Sequence, residues 1–205
     1  MKTHLRRLRA GLPAVLAAAL VLLPACNPLE KESDAISHLL IESLTGMTMD
    51  GTEANFLQSD VLFQSPTTGA TTILADTAKA TFSARQLDPS PILGPSNFAD
   101  ITLTRYTVAY FRSDGRNVQG VDVPYGFDGA ITHRVQVGLA TSISFVIVRE
   151  TAKQEPPLLN LLESTGRPEV LNVTARIEFY GRDGTNKTVK ATGYLPIYFA
   201  NYANE

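Results

Sequence analysis

The feature that most constrains this chain is a strict two-residue alternation near its end. Val173, Ala175, Ile177 and Phe179 alternate with Thr174, Arg176, Glu178 and Tyr180. Successive side chains of a strand point to opposite faces, so the first set belongs to a buried face and the second to an outer one. Gly181 to Asn186 supplies turn residues, and Val189, Ala191, Leu195, Ile197 and Phe199 resume the pattern against Lys190, Thr192, Tyr194 and Tyr198. A β-hairpin follows, and its apolar face requires a second layer to cover it.

Upstream, short runs rich in Val, Ile, Thr, Phe and Tyr are separated by Gly, Pro, Asp and Asn, which marks further strands. Candidates lie at 59–64, 71–85, 101–111, 131–138, 141–150, 171–180 and 187–200, with Leu39 to Leu44 either a first strand or a helical turn. Seven or eight strands with almost no helical pattern between them predict an all-β fold, an antiparallel sandwich in preference to an α/β sheet. Ile143, Phe145 and Ile147 face one way while Val146 and Val148 face the other, so 141–150 is expected to be a central strand. One short helix is expected after Glu155-Pro156-Pro157, where Leu158, Leu159, Leu161 and Leu162 form an apolar stripe. Proline suits its first turn, and Gly166 and Pro168 suit its end.

At the other end of the chain, Lys2, Arg6, Arg7 and Arg9 precede the apolar stretch Leu12 to Ala25. This is the basic and apolar pattern of a secretory signal, and it is short for a membrane span, which takes about 20 apolar residues. The stretch ends in Leu23-Pro24-Ala25-Cys26, which resembles the lipobox of bacterial lipoproteins. The resemblance implies cleavage after Ala25 and lipidation of Cys26. Cys26 is the only cysteine, so no intramolecular disulfide exists and lipidation accounts for a thiol otherwise unexplained in a secreted chain. A diacylglycerol plus a palmitate-type N-acyl chain exceeds the two lipid signals that stable membrane anchoring takes. Asn27 stands where many inner-membrane lipoproteins carry Asp, so the resemblance implies the outer membrane. The expected organisation is a signal peptide at 1–25, a lipidated tether at 26–36 and one domain at 37–205.

Removing residues 1–25 takes Lys2, Arg6, Arg7 and Arg9 from the 18 basic residues and none from the 20 acidic ones, leaving a net charge of −6. Nucleic-acid binders draw most of their affinity from basic patches, so this balance argues against a nucleic-acid partner. The inventory for catalysis is poor. After residue 25 there are two histidines, His38 and His133, no Gly-x-Ser-x-Gly elbow and no cysteine pair for zinc. No cofactor, metal or catalytic residue is expected, and the reading is of a non-enzyme. A hydrolase would need two acids such as Asp122 and Asp128 to act as a pair.

The most distinctive loop is 113–129, with three aspartates and four glycines. Asp-Gly is the common way to build a tight turn, and the spacing does not fit an EF-hand. Asp114, Asn117, Asp122, Tyr125, Phe127 and Asp128 nevertheless form a candidate binding surface, because sandwiches carry recognition loops at their ends. The proline-bearing segment Leu87 to Phe98 is a second long loop, and adjacency of the two is not something a sequence shows. Asn172-Val173-Thr174 and Asn186-Lys187-Thr188 match a glycosylation triplet but are read as strand and turn residues.

The lipobox, the Arg112-Ser113-Asp114-Gly115-Arg116-Asn117 loop with Val121-Asp122-Val123-Pro124, the Val148-Arg149 to Glu155-Pro156-Pro157 stretch and the closing Glu178 to Gly184 hairpin are together similar to uncharacterised bacterial lipoproteins with an immunoglobulin-like or fibronectin III-like sandwich. The resemblance covers about residues 37–205 and implies a fold without a function. The expectation is an envelope-anchored, non-enzymatic structural or protein-interaction module with an envelope protein partner. The alternative is a small-ligand or carbohydrate binding module using the 113–129 loop.

Overall fold

A computed structural model describes residues 35–65, 67–87, 97–162 and 170–202. The signal stretch, Cys26 and the tether up to Asp34 lie outside the described residues. Eleven strands are present among those described, β1 (Ser37–Met47), β2 (Glu53–Ala54), β3 (Leu57–Asp60), β4 (Phe63–Gln64), β5 (Thr71–Thr72), β6 (Asp76–Gln86), β7 (Ile101–Phe111), β8 (Phe127–Val135), β9 (Thr141–Val148), β10 (Leu171–Asp183) and β11 (Thr188–Ala200). Seven of them, β1 and β6 to β11, have eight or more residues and correspond to expected strands, with the 39–44 segment resolved as β1 and with β8 beginning at Phe127, inside the segment read as a loop, where 131–138 was expected. The excess over eight arises because 59–64 and 71–85 each break in two, giving β3 with β4 and β5 with β6, and because the two-residue β2 forms outside the expected segments.

The strands form a four-stranded sheet in the order β2-β1-β6-β9 and a five-stranded sheet in the order β3-β11-β10-β7-β8, with β4 and β5 a separate pair. The β10–β11 hairpin has the expected faces. Val173, Ala175, Ile177, Phe179, Val189, Ala191, Leu195, Ile197 and Phe199 are all buried. The sheets close on one another through aromatic rings. Phe179 of β10 meets Phe82 of β6 at 4.8 Å and Phe145 of β9 at 5.1 Å, both edge to face.

Three expectations are corrected. The sandwich is not wholly antiparallel, since β3 joins β11 in parallel. β9 is not central but the last strand of its sheet. Tyr106 and Tyr110 of β7 donate hydroxyl hydrogen bonds to its Val146 and Ile147 carbonyls at 2.9 and 2.6 Å. Burial pushes the Tyr110 hydroxyl well above its ordinary value, so it remains a donor. The expected helix after Pro157 is only a 3-10 turn, Leu159–Leu162. Prolines 156 and 157 offer no N–H to a helical ladder. A period of three then places Leu158 and Leu161 inward and leaves Leu159 exposed. The α-helical turn lies earlier, at α1 (Glu150–Lys153).

The sandwich has two distinct poles. At one, the chain enters β1, and Ile36 N donates to Asp183 Oδ2 at 2.9 Å. Asp183 Oδ1 also accepts from Thr185 N, Thr185 Oγ1 and Lys187 N, at 3.0, 2.7 and 2.9 Å, which fastens the β10–β11 turn. Leu87 N bonds to Ile36 O and Gly184 N to Phe98 O, so both flanks of the second long loop lie at this pole. The residues between those flanks, 88–96, are outside the described set. The 113–129 loop, joining the end of β7 to the start of β8, belongs to the far pole with the end of β9. β1 has 11 residues and spans the sandwich, so the poles are roughly 35 Å apart.

Burial raises the Asp183 carboxyl, but its hydrogen bonds outweigh that effect and hold it below the ordinary 3.8. Removing it strands three backbone N–H groups, so Asp183→Ala is expected to lower unfolding free energy by about 1 to 3 kcal/mol at neutral pH. A depressed carboxyl stabilises the fold above its unfolded value and loses that contribution as pH falls through its folded value. The difference between wild type and Asp183→Ala in urea titrations should therefore shrink as pH drops below about 4.

Candidate functional site

The candidate residues of the 113–129 loop separate into different jobs. The Asp114 carboxylate accepts from Arg112 Nε at 3.1 Å and the Arg112 terminal nitrogen at 2.6 Å, and from Arg116 N and Nε at 3.1 and 3.0 Å. The Arg112 hydrogen bonds hold its carboxyl far below the usual range. Asn117 Oδ1 accepts from Arg112 N, and Asp122 Oδ2 accepts from Val118 N. Asp114, Asn117 and Asp122 thus build the loop by turn chemistry. Asp128 points to the outer face of its sheet, 3.7 Å from Arg105. Phe127 turns inward beside Tyr106, with the Arg149 guanidinium 4.7 Å above its ring.

Of the six, Tyr125 lines an open cleft. Its other walls are Gly120 from the same loop, and Arg149, Thr151, Glu155 and Pro156 from the segment after β9, enclosing about 640 Å³. Gly120 has φ +76°, and a Cβ there would fall 2.3 Å from the Tyr125 hydroxyl. Only glycine adopts that backbone without strain and leaves the phenol its place. In β8, Gly129 serves a similar purpose, since a Cβ would enter the Tyr106 ring that caps β9. The rim beside the cleft is apolar and exposed, with Val118 at 60%, Val121 at 65% and Tyr125 at 49%.

The wall carrying Arg149, Thr151 and Glu155 is pinned from beneath. Lys153, the last residue of α1, is 1% exposed. Its Nζ donates to the Asp60 backbone carbonyl at 2.7 Å and to Asp76 Oδ1 at 3.0 Å. Ser59 Oγ donates to Asp76 Oδ2 at 2.6 Å. Asp60 Oδ1 accepts from Leu62 N and Tyr202 N, while its Oδ2 is buried without a partner. Burial raises both carboxyls, an effect the Lys153 charge partly offsets.

The cleft combines an aromatic ring, a guanidinium, hydroxyls and a carboxylate. Asp122 and Asp128, the acids a hydrolase would need, do not meet on it. Among the described residues no group of three His, Cys, Asp or Glu side chains is placed to hold a metal. The chain matches no family model, and no curated protein is significantly similar to it.

Sequence reasoning missed Arg149, Thr151 and Glu155. Each follows an apolar strand and precedes a Pro-Pro step, which signals a strand end, but nothing local says that this end meets the 113–129 loop. Gly120→Ala tests the cleft wall. It is expected to lower unfolding free energy by about 1 to 2 kcal/mol through the left-handed backbone and to increase solvent exposure of Tyr125. An unchanged urea midpoint with unchanged tyrosine near-ultraviolet dichroism would contradict the placement.

Proposed function

We propose that this chain is a non-enzymatic, lipid-anchored envelope protein, tethered through Cys26 to the outer membrane, whose immunoglobulin-like sandwich is a protein-interaction module. The observation that supports this reading is polarity. The chain enters the sandwich at the Asp183 pole, and the exposed apolar rim with its cleft lies at the other. A module held to a membrane at one end presents its recognition surface at the end that faces away.

The cleft is open, and small-molecule sites bury most of their ligand in enclosed pockets. An open cleft edged by Val118, Val121 and Tyr125 suits a protein segment better. Aromatic and arginine side chains dominate the energy of such interfaces, which assigns anchoring to Tyr125 and Arg149. A carbohydrate reading rests on one specific feature, the Tyr125 ring beside the polar Arg149 and Glu155 side chains. Stacking of a sugar on Tyr125 would leave Val118 and Val121 without a role.

Photo-crosslinking in cells separates the readings. A photoreactive residue at Val121 is expected to give a discrete protein adduct, and one at Thr132 on β8 none. Tyr125→Ala should cut the Val121 adduct yield at least about tenfold, the effect of losing an interface anchor, while leaving the urea midpoint nearly unchanged. Equal adducts from Val121 and Thr132, or a yield insensitive to Tyr125→Ala, would sink the interaction reading.

A further inference from the structure

Beneath the cleft lies an arrangement that pinning a helical turn does not require. The Lys153 nitrogen is 3.0 Å from Oδ1 and 2.9 Å from Oδ2 of Asp76, so it meets the carboxyl group symmetrically and not at one oxygen alone. The Asp60 carbonyl holds the same nitrogen from another side, and the Ser59 hydroxyl holds Asp76 Oδ2. Asp60 adds a second buried carboxyl with an orphaned oxygen. The Lys153 side chain is 1% exposed and that of Asp76 18%, so the two groups meet with little water around them.

An amine held against a carboxyl group is the reactant pair of amide condensation. Fixing two groups in contact raises their effective concentration by many orders of magnitude over free solution. We infer that Lys153 and Asp76 join in an intramolecular isopeptide bond, which ties α1 covalently to β6.

The step balances without an oxidant or a further reactant. The ammonium passes one proton to the Asp76 carboxylate. The nitrogen lone pair then forms the Nζ–Cγ bond, and negative charge gathers on Oδ2, where the Ser59 hydroxyl already donates. A second proton leaves nitrogen for the departing hydroxyl, the Cγ–O bond breaks, and one water is released. Asp60, whose charge acts on Asp76, is the buried acid available to carry that proton. The product amide keeps a hydrogen-bond acceptor for Ser59.

Tandem mass spectrometry of trypsin-digested full-length protein tests this. The expected result is a branched species joining the peptides that contain Asp76 and Lys153, lighter than their sum by one water, with no cleavage after Lys153. The protein should also be lighter than its sequence by one water beyond any N-terminal processing, even after denaturation. Lys153→Met and Asp76→Ala should each abolish the branch. Normal cleavage after Lys153 in folded wild-type protein would overturn the proposal. So would a water loss that persists in Lys153→Met, which would report cyclisation at an Asp-Gly step such as Asp114-Gly115.

Discussion

The contact on which the rest of the structure depends is the meeting of the two sheets around Phe179. Its ring lies edge to face with Phe82 and Phe145 and 6.1 Å from Tyr106, so one side chain of β10 touches β6, β9 and β7. Each such pair adds to the burial of a large apolar surface. The same cluster orients Tyr106, which then reaches past Phe145 to the Val146 carbonyl and closes the end of β9. Core packing and protection of a sheet edge are therefore one arrangement, and an open strand end that would invite pairing with another chain is blunted by side-chain hydroxyls.

Polar groups organise the two poles in contrasting ways. At the entry pole Asp183 is saturated by hydrogen bonds from backbone and hydroxyl donors. It joins the start of β1 to the last hairpin and gives the chain a defined point of entry. At the far pole Lys153, Ser59 and Asp60 are buried beside a partly exposed Asp76, and one Asp60 carboxylate oxygen has no partner. Buried ionic groups contribute little net stability, but removing one partner is severely destabilising, so such a cluster fixes geometry more than it adds energy. What it fixes is α1, and through α1 the wall that sets Thr151 and Glu155 opposite Tyr125.

The hairpin was fully legible because its alternation is local and repeats over two long strands. The fold class was legible for the same reason. The place of β9 was not, because its edge is capped by hydroxyls from residues 40 and 37 positions away in the chain. The helix after Pro157 was misread because four leucines fit a helical stripe while the two prolines deny it donors. Lys153 was invisible as a structural residue, since lysines are almost never buried unless paired. Its partners come from β3 and β6, and no spacing announces them. In the 113–129 loop the turn chemistry of Asp114 and Asp122 was legible, and Tyr125, which lines the cleft, was among the residues singled out there. The cleft required knowing that two strand ends meet.

In the proposed function, a domain entered at one pole and carrying its cleft at the other suits a membrane tether. That account turns on Cys26. The most direct measurement is mass spectrometry of the N-terminal peptide of protein extracted from membranes with detergent. The account predicts a peptide that begins at Cys26 and carries diacylglycerol and N-acyl chains, with a Cys26→Ser form lacking them and leaving the membrane fraction. A mature chain that begins elsewhere, without lipid and recovered in the soluble fraction, would contradict it.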